Sequence, residues 1–164
     1  KEESVVGFSK DTPIKVLIIP FARYKEDWDS VYTKNTTKYS HDNFMYDCMY
    51  ASLNRDELFA QIKVAEIIII PGGSEISLAQ HLPKLTKADL NNKVIIATSA
   101  GTNYLSRSYY SNDRNEFSNG LGIFSINTIC HFKPETISKV VSLVELNNLP
   151  TFPLKDGEFI VVYE

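Results

Sequence analysis

Glu66-Ile67-Ile68-Ile69-Ile70-Pro71-Gly72-Gly73-Ser74 is the stretch on which the fold turns. Four consecutive isoleucines suit a strand covered on both faces, proline and two glycines take the chain out of it, and Ser74 is a residue type that caps a helix. Similar strand signatures lie on either side. Ile14-Lys15-Val16-Leu17-Ile18-Ile19-Pro20 reads as a buried strand closed by proline, and Lys93-Val94-Ile95-Ile96 as another. Between them Asn54-Arg55-Asp56-Glu57 opens a helix running through Ala65, and Ser74 opens one that stops at Leu82 before Pro83. The order β-α-β-α-β predicts an α/β protein with three layers, α/β/α, around a mostly parallel central sheet.

The remaining segments are read outward from that unit. Asp27 to Ser40 suits a helix made of weak formers, and Phe44 to Tyr50 suits either a strand or a continuation of that helix. Tyr109 to Gly122, rich in Ser, Asn, Asp and Gly, reads as a long loop of the kind that often carries function. Phe124 to Phe132 follows as a strand. Pro134 to Leu146 follows as a helix with Ile137, Val140, Val141 and Val144 on its apolar stripe. A closing hairpin is expected around Lys155-Asp156-Gly157-Glu158. No repeat, low-complexity tract or linker is visible, so residues 1–164 are expected to form one domain.

With 43% hydrophobic and 23% charged residues, the 164-residue chain has the make-up of a globular protein. Its formal net charge of −3 lacks the basic excess that nucleic acid or an anionic membrane surface would require. Neither is expected as a partner, and the oligomeric state is left open. Two cysteines, Cys48 and Cys130, are too few for a disulfide framework, and a cytoplasmic location is the expectation. No apolar run reaches membrane-spanning length, and Lys1-Glu2-Glu3 is unlike the start of a signal peptide. No His/Cys/Asp cluster has metal-ligand spacing, so neither metal nor cofactor is expected.

Chemistry is suggested by Val94-Ile95-Ile96-Ala97-Thr98-Ser99-Ala100-Gly101-Thr102. A strand that turns sharply into a helix presents a serine clear of the sheet, and only small residues, here Ala97 and Gly101, fit two positions either side. The same residues also suit a plain helix cap. A nucleophilic serine needs a base, and there are three histidines. His41 lies in a polar segment and His81 near a helix end, both structural settings. His131 follows an apolar strand, at the sheet edge where ligands gather in α/β proteins. Asp113 is the natural carboxylate partner for it, with Glu116 as substitute. Cys130 reads as a small buried residue on the opposite face of the strand from His131. Gly72-Gly73 can supply an oxyanion N–H or be an ordinary strand-to-helix turn.

Taken together, Ile18-Ile19-Pro20-Phe21-Ala22 with Trp28-Asp29, Ala65 to Gly73, Thr98-Ser99-Ala100-Gly101, Asn112-Asp113 and His131-Phe132 resemble the S51 serine peptidases. That family comprises aspartyl dipeptidases (peptidase E) and cyanophycinases, with the class I glutamine-amidotransferase-like, flavodoxin-like fold. The resemblance implies Ser99 as nucleophile, His131 as base, Asp113 as third member, and the N–H groups of Gly73 and Ala100 as oxyanion hole. It implies a small peptide or dipeptide as substrate, cleaved through an acyl-enzyme. The alternative is a catalytically silent relative that binds a small ligand or a protein partner at the same edge. An unrelated α/β-hydrolase esterase is disfavoured by the short chain. Residues after His131 hold no counterpart of the basic segment of aspartyl dipeptidases. Arg114 is then the candidate substrate-binding residue, and no preference for an acidic substrate is expected. The amino-terminal strand is reduced to Ser4 to Phe8, so the chain reads as a compact or truncated member.

Overall fold

A computed structural model of the chain describes residues 12–39 and 45–163. Ser4 to Phe8, His41, Phe44 and the end of the first expected helix at Ser40 lie outside them. Five strands and helices form the first half: β1 (Ile14–Ile18), α1 (Trp28–Tyr39), β2 (Tyr46–Tyr50), α2 (Arg55–Val64) and β3 (Ile67–Ile70). Two short helices, α3 (Glu75–His81) and α4 (Lys87–Leu90), lead to β4 (Val94–Ala97). The four strands make a parallel sheet in the order β2-β1-β3-β4.

The isoleucine run works because successive residues face opposite sides. Ile68 and Ile70 join Leu17, Leu58, Ile62 and Leu78 in one core, beneath α2 and α3. Ile69 joins Val16 and Ile18 in another, against Tyr32 of α1. Helices therefore cover both faces, as the three-layer reading requires. Fully burying each such side chain contributes roughly 1.5–3 kcal/mol, so the sheet's centre dominates the stability of this half. Asn54 caps α2 by accepting the N–H groups of Asp56 (3.0 Å) and Glu57 (3.1 Å), which adds about 1 kcal/mol.

The second half departs from expectation. After α5 (Ala100–Leu105) the supposed loop is a hairpin of β5 (Ser108–Ser111) and β6 (Glu116–Asn119). Two buried tyrosines drive it: Tyr110 packs on Ile129 and Leu143 and lies 5.1 Å from the Phe117 ring. Asn115, at φ 52°, closes the turn. The strand expected over 124–132 shortens to β7 (Asn127–Cys130), ended by His131 at φ 55°.

A 3-10 turn at Pro134–Thr136 leads into α6 (Ile137–Asn147), and β8 (Thr151–Leu154) completes a second sheet in the order β6-β5-β7-β8. Strands β5, β7 and β8 run parallel to one another. Helix α6 buries Leu143 and leaves Ile137, Val141 and Val144 exposed, a rotation away from the expected stripe. Buried Asn127 sets it: its amide donates to the carbonyl of Leu143 (3.1 Å), to Asn147 Oδ1 (2.9 Å) and to Thr151 Oγ1 (3.1 Å). The expected closing hairpin has its turn, but among the described residues those after Glu158 pair with no strand. No described helix is long and apolar enough to cross a membrane.

Candidate active site

Four strand ends converge on one edge. β3 runs into Gly72-Gly73, β4 into Ser99, β7 into His131 and β8 into the turn that holds Asp156. At Ser99 the backbone adopts φ 48°, ψ −112°, a conformation outside the ordinary wells for an L-residue. The surroundings enforce it. Helix α5 begins hard against β3, so close that a Cβ on Gly101 would fall 2.4 Å from the Ile70 carbonyl oxygen. The incoming loop is as tight: a Cβ on Gly72 would fall 2.9 Å from Ser99 Cβ. Gly73 follows directly, and the Ser74 N–H donates to Ala22 O (2.7 Å), tying this loop to the turn that follows β1.

Ser99 Oγ lies 2.9 Å from His131 Nε2, and His131 Nδ1 lies 2.5 Å from Asp156 Oδ1. An ionised carboxylate only accepts, so Nδ1 carries the proton and the Nε2 lone pair faces the serine hydroxyl. That is the tautomer in which an imidazole can take a proton from Ser99. His131 and Asp156 are well exposed, with 55% and 83% of their side-chain surfaces in contact with solvent. Water screens their mutual attraction, and the carboxylate serves chiefly to hold the ring's tautomer and angle.

The sequence-based expectations divide here. Ser99 and His131 are brought together. Asp113, expected beside His131, is not the carboxylate that the ring meets: it is exposed in the β5–β6 turn and its side chain makes no hydrogen bond to described residues. Its neighbour Asn112 faces the β7 end instead, donating to the carbonyls of Cys130 (2.6 Å) and His131 (3.2 Å). Glu116, the substitute, is turned to Arg114, whose Nε donates to it at 2.6 Å. That guanidinium holds the Glu116 carboxyl below its ordinary range.

Asp156 was hidden in plain Lys155-Asp156-Gly157-Glu158, legible as a turn. Its signal was position: an Asp-Gly turn ending a strand beside the one that ends in the histidine. Arg114 is itself occupied, Nη1 donating to Glu75 (2.8 Å) and Nη2 to the Tyr109 hydroxyl (3.3 Å). Glu75, 11% exposed, also accepts from Asn103 Nδ2 of α5 (2.8 Å). Cys130 is buried, its thiol pushed up to about 12 chiefly by desolvation and directed at the Ser99 carbonyl oxygen (3.6 Å). His81 plays the structural part foreseen, its Nδ1 2.9 Å from Ser77 O and its ring edge-on to Trp28. Among the described residues no cluster of His, Cys, Asp and Glu is arranged to hold a metal ion.

The sequence model of peptidase family S51 matches residues 2–164. The chain belongs to peptidase family S51. Among solved structures it is similar to a peptidase from an acI-B1 Actinobacterium, with TM-score 0.54 and 21% identity, over 76% of this chain and 57% of that one. It is also similar to a putative peptidase E protein from Listeria monocytogenes EGD-e, with TM-score 0.52 and 13% identity, over 87% of this chain and 78% of that one. At such identities the likeness speaks for the fold, the class I glutamine-amidotransferase-like architecture of this S51 chain. The chain thus spans a little over half the length of the actinobacterial peptidase. No curated protein matches it.

Proposed function

We propose that the chain is a serine-type peptidase or amidohydrolase acting on a small peptide or dipeptide through Ser99, His131 and Asp156. The observation that carries this reading is the continuous Ser99–His131–Asp156 hydrogen-bond chain, 2.9 Å and 2.5 Å long, at a strained strand-to-helix elbow. Ser99 Oγ attacks the scissile carbonyl carbon while its proton passes to His131 Nε2, and Asp156 stabilises the imidazolium. The carbonyl oxygen takes up the negative charge against the N–H groups of Gly73 and Ala100, the oxyanion donors of this proposal. The tetrahedral intermediate collapses as His131 gives its proton to the departing amine. Water, deprotonated by the same histidine, then releases the acyl group and restores Ser99.

A fluorophosphonate probe tests the nucleophile directly. Covalent labelling of native protein, mapped to Ser99 by mass spectrometry and lost in Ser99→Ala and His131→Ala, is the expected result. If the protein stays unlabelled while a known serine hydrolase labels alongside it, the site is one that binds a ligand without cleaving it.

A further inference from the structure

Beside Ser99 and His131 a cavity of about 450 Å³ opens between β4 of the first sheet and β7–β8 of the second, within the size range of small-molecule sites. Its walls include Ile95, Leu105, Phe124, Ile126, Leu154 and Ile160. All are aliphatic or aromatic. The charges on its lining are one lysine, Lys155, against two carboxylates, Asp156 and Glu158, and Asp156 already faces His131. No arginine reaches it. Arg114 is absent from the lining and gives its N–H groups to Glu116, Glu75, Tyr109 and Ser118.

Resting on the serine-hydrolase reading above, we infer that this cavity is the specificity pocket and takes an uncharged, aliphatic or aromatic side chain from the residue beside the scissile bond. An apolar side chain entering it trades water for apolar walls. An aspartyl side chain would give up water against these walls with Lys155 as the one cation on the lining, set against two carboxylates of its own sign. The preference follows from what the walls are made of. It runs opposite to a pocket built for acidic residues.

Two dipeptide series, X-Ala and Ala-X with X as Leu, Phe, Ala or Asp, read the preference as kcat/KM. Since one methylene in an apolar pocket is worth about 10–200-fold, Leu or Phe is expected to exceed Ala by at least about tenfold in one series, with Asp below Ala in both. Ile160→Arg, which sets a cation in the wall, should reduce the Leu-to-Asp ratio by at least about tenfold. Ile160→Ser, a milder change, should lower the Leu-to-Ala ratio. Fluorophosphonate labelling of Ser99 is followed in every variant. Labelled protein that cleaves Asp as well as Leu overturns the pocket inference and leaves the hydrolase reading standing. Failure of native protein to label overturns both.

Discussion

The side-chain amide of Asn112 bridges from the β5–β6 turn to the carbonyl of His131, and so fixes the height of the imidazole over Ser99. His131 ends β7 at φ 55°, a left-handed conformation that costs an ordinary residue about 1–2 kcal/mol. Asn112 offsets that cost by donating to both carbonyls of the bend, Cys130 at 2.6 Å and His131 at 3.2 Å. The hairpin that follows α5 is thereby tied to the bend that carries His131.

Removing this amide should loosen the base without touching the serine. Asn112→Ala is expected to lower stability by about 1–2 kcal/mol, the worth of one or two hydrogen bonds, and to reduce kcat more than it raises KM. Asn112→Asp, which cannot donate, should be at least as damaging. Urea denaturation and steady-state kinetics check both, and unchanged kcat would sink the positioning role.

Asp156, the carboxylate that meets His131, and Asp113, the one the sequence suggested, separate cleanly by substitution. Asp156→Asn removes the negative charge and puts an NH2 donor within reach of Nδ1, which favours the wrong tautomer, and in serine peptidases such a change lowers kcat by about 10⁴-fold. With Asp156 so exposed, a loss of about 10²–10⁴-fold is expected here. Asp113→Asn, in a solvated turn, should stay within about threefold of wild type, the small effect usual at sites away from structural features. The opposite ranking would restore Asp113 to the site.

The contrast between the halves of the chain shows what a sequence reveals. Ile67 to Ile70 and, apart from exposed Lys15, Ile14 to Ile18 announce themselves because a strand covered on both faces is apolar at nearly every position. The β5–β6 hairpin does not, because Ser108 and Ser111 are buried with their hydroxyls satisfied or small enough to be enclosed, so a core strand reads as polar loop. Ser99 was legible for a steric reason, the need for small neighbours where α5 meets β3. The partner of His131 was not, since its carboxylate comes from a turn whose Asp-Gly pair is fully accounted for by turn chemistry. Strand order alone tells which turn arrives beside the histidine.

Cys130 supplies a prediction in pH. Burial raises its thiol from 9.0 to about 12, so in the folded protein it stays neutral through the ordinary working range. The sign follows from linkage: the unfolded chain ionises first, so this contribution to stability is intact below about pH 9 and is lost as pH rises toward 12. Cys130→Ala should therefore flatten the fall in stability above pH 9 while leaving Ser99 labelling intact. Native Cys130 should resist iodoacetamide at pH 8 and react after denaturation. Rapid alkylation of the native protein would contradict the buried, protonated thiol.

Glu75 ties three segments together and should reveal itself by coupling rather than by catalysis. It follows the Gly72-Gly73 loop, accepts from Arg114 of the hairpin at 2.8 Å, and accepts from Asn103 of α5 at 2.8 Å. With side-chain exposures of 11% and 24% for Glu75 and Arg114, the pair is shielded enough that breaking it from one side leaves a charge short of solvent and partner. Arg114→Met is expected to cost about 1–3 kcal/mol, toward the low end for a partly buried pair. Glu75→Gln keeps the link to Asn103 and should cost less. Adding it to Arg114→Met removes the stranded carboxylate, so the double variant should be more stable than Arg114→Met alone. Denaturant midpoints of the four proteins close the cycle. Strict additivity would mean that the two side chains touch without sharing energy, and that the loop bearing Gly73 is held to the hairpin by something else.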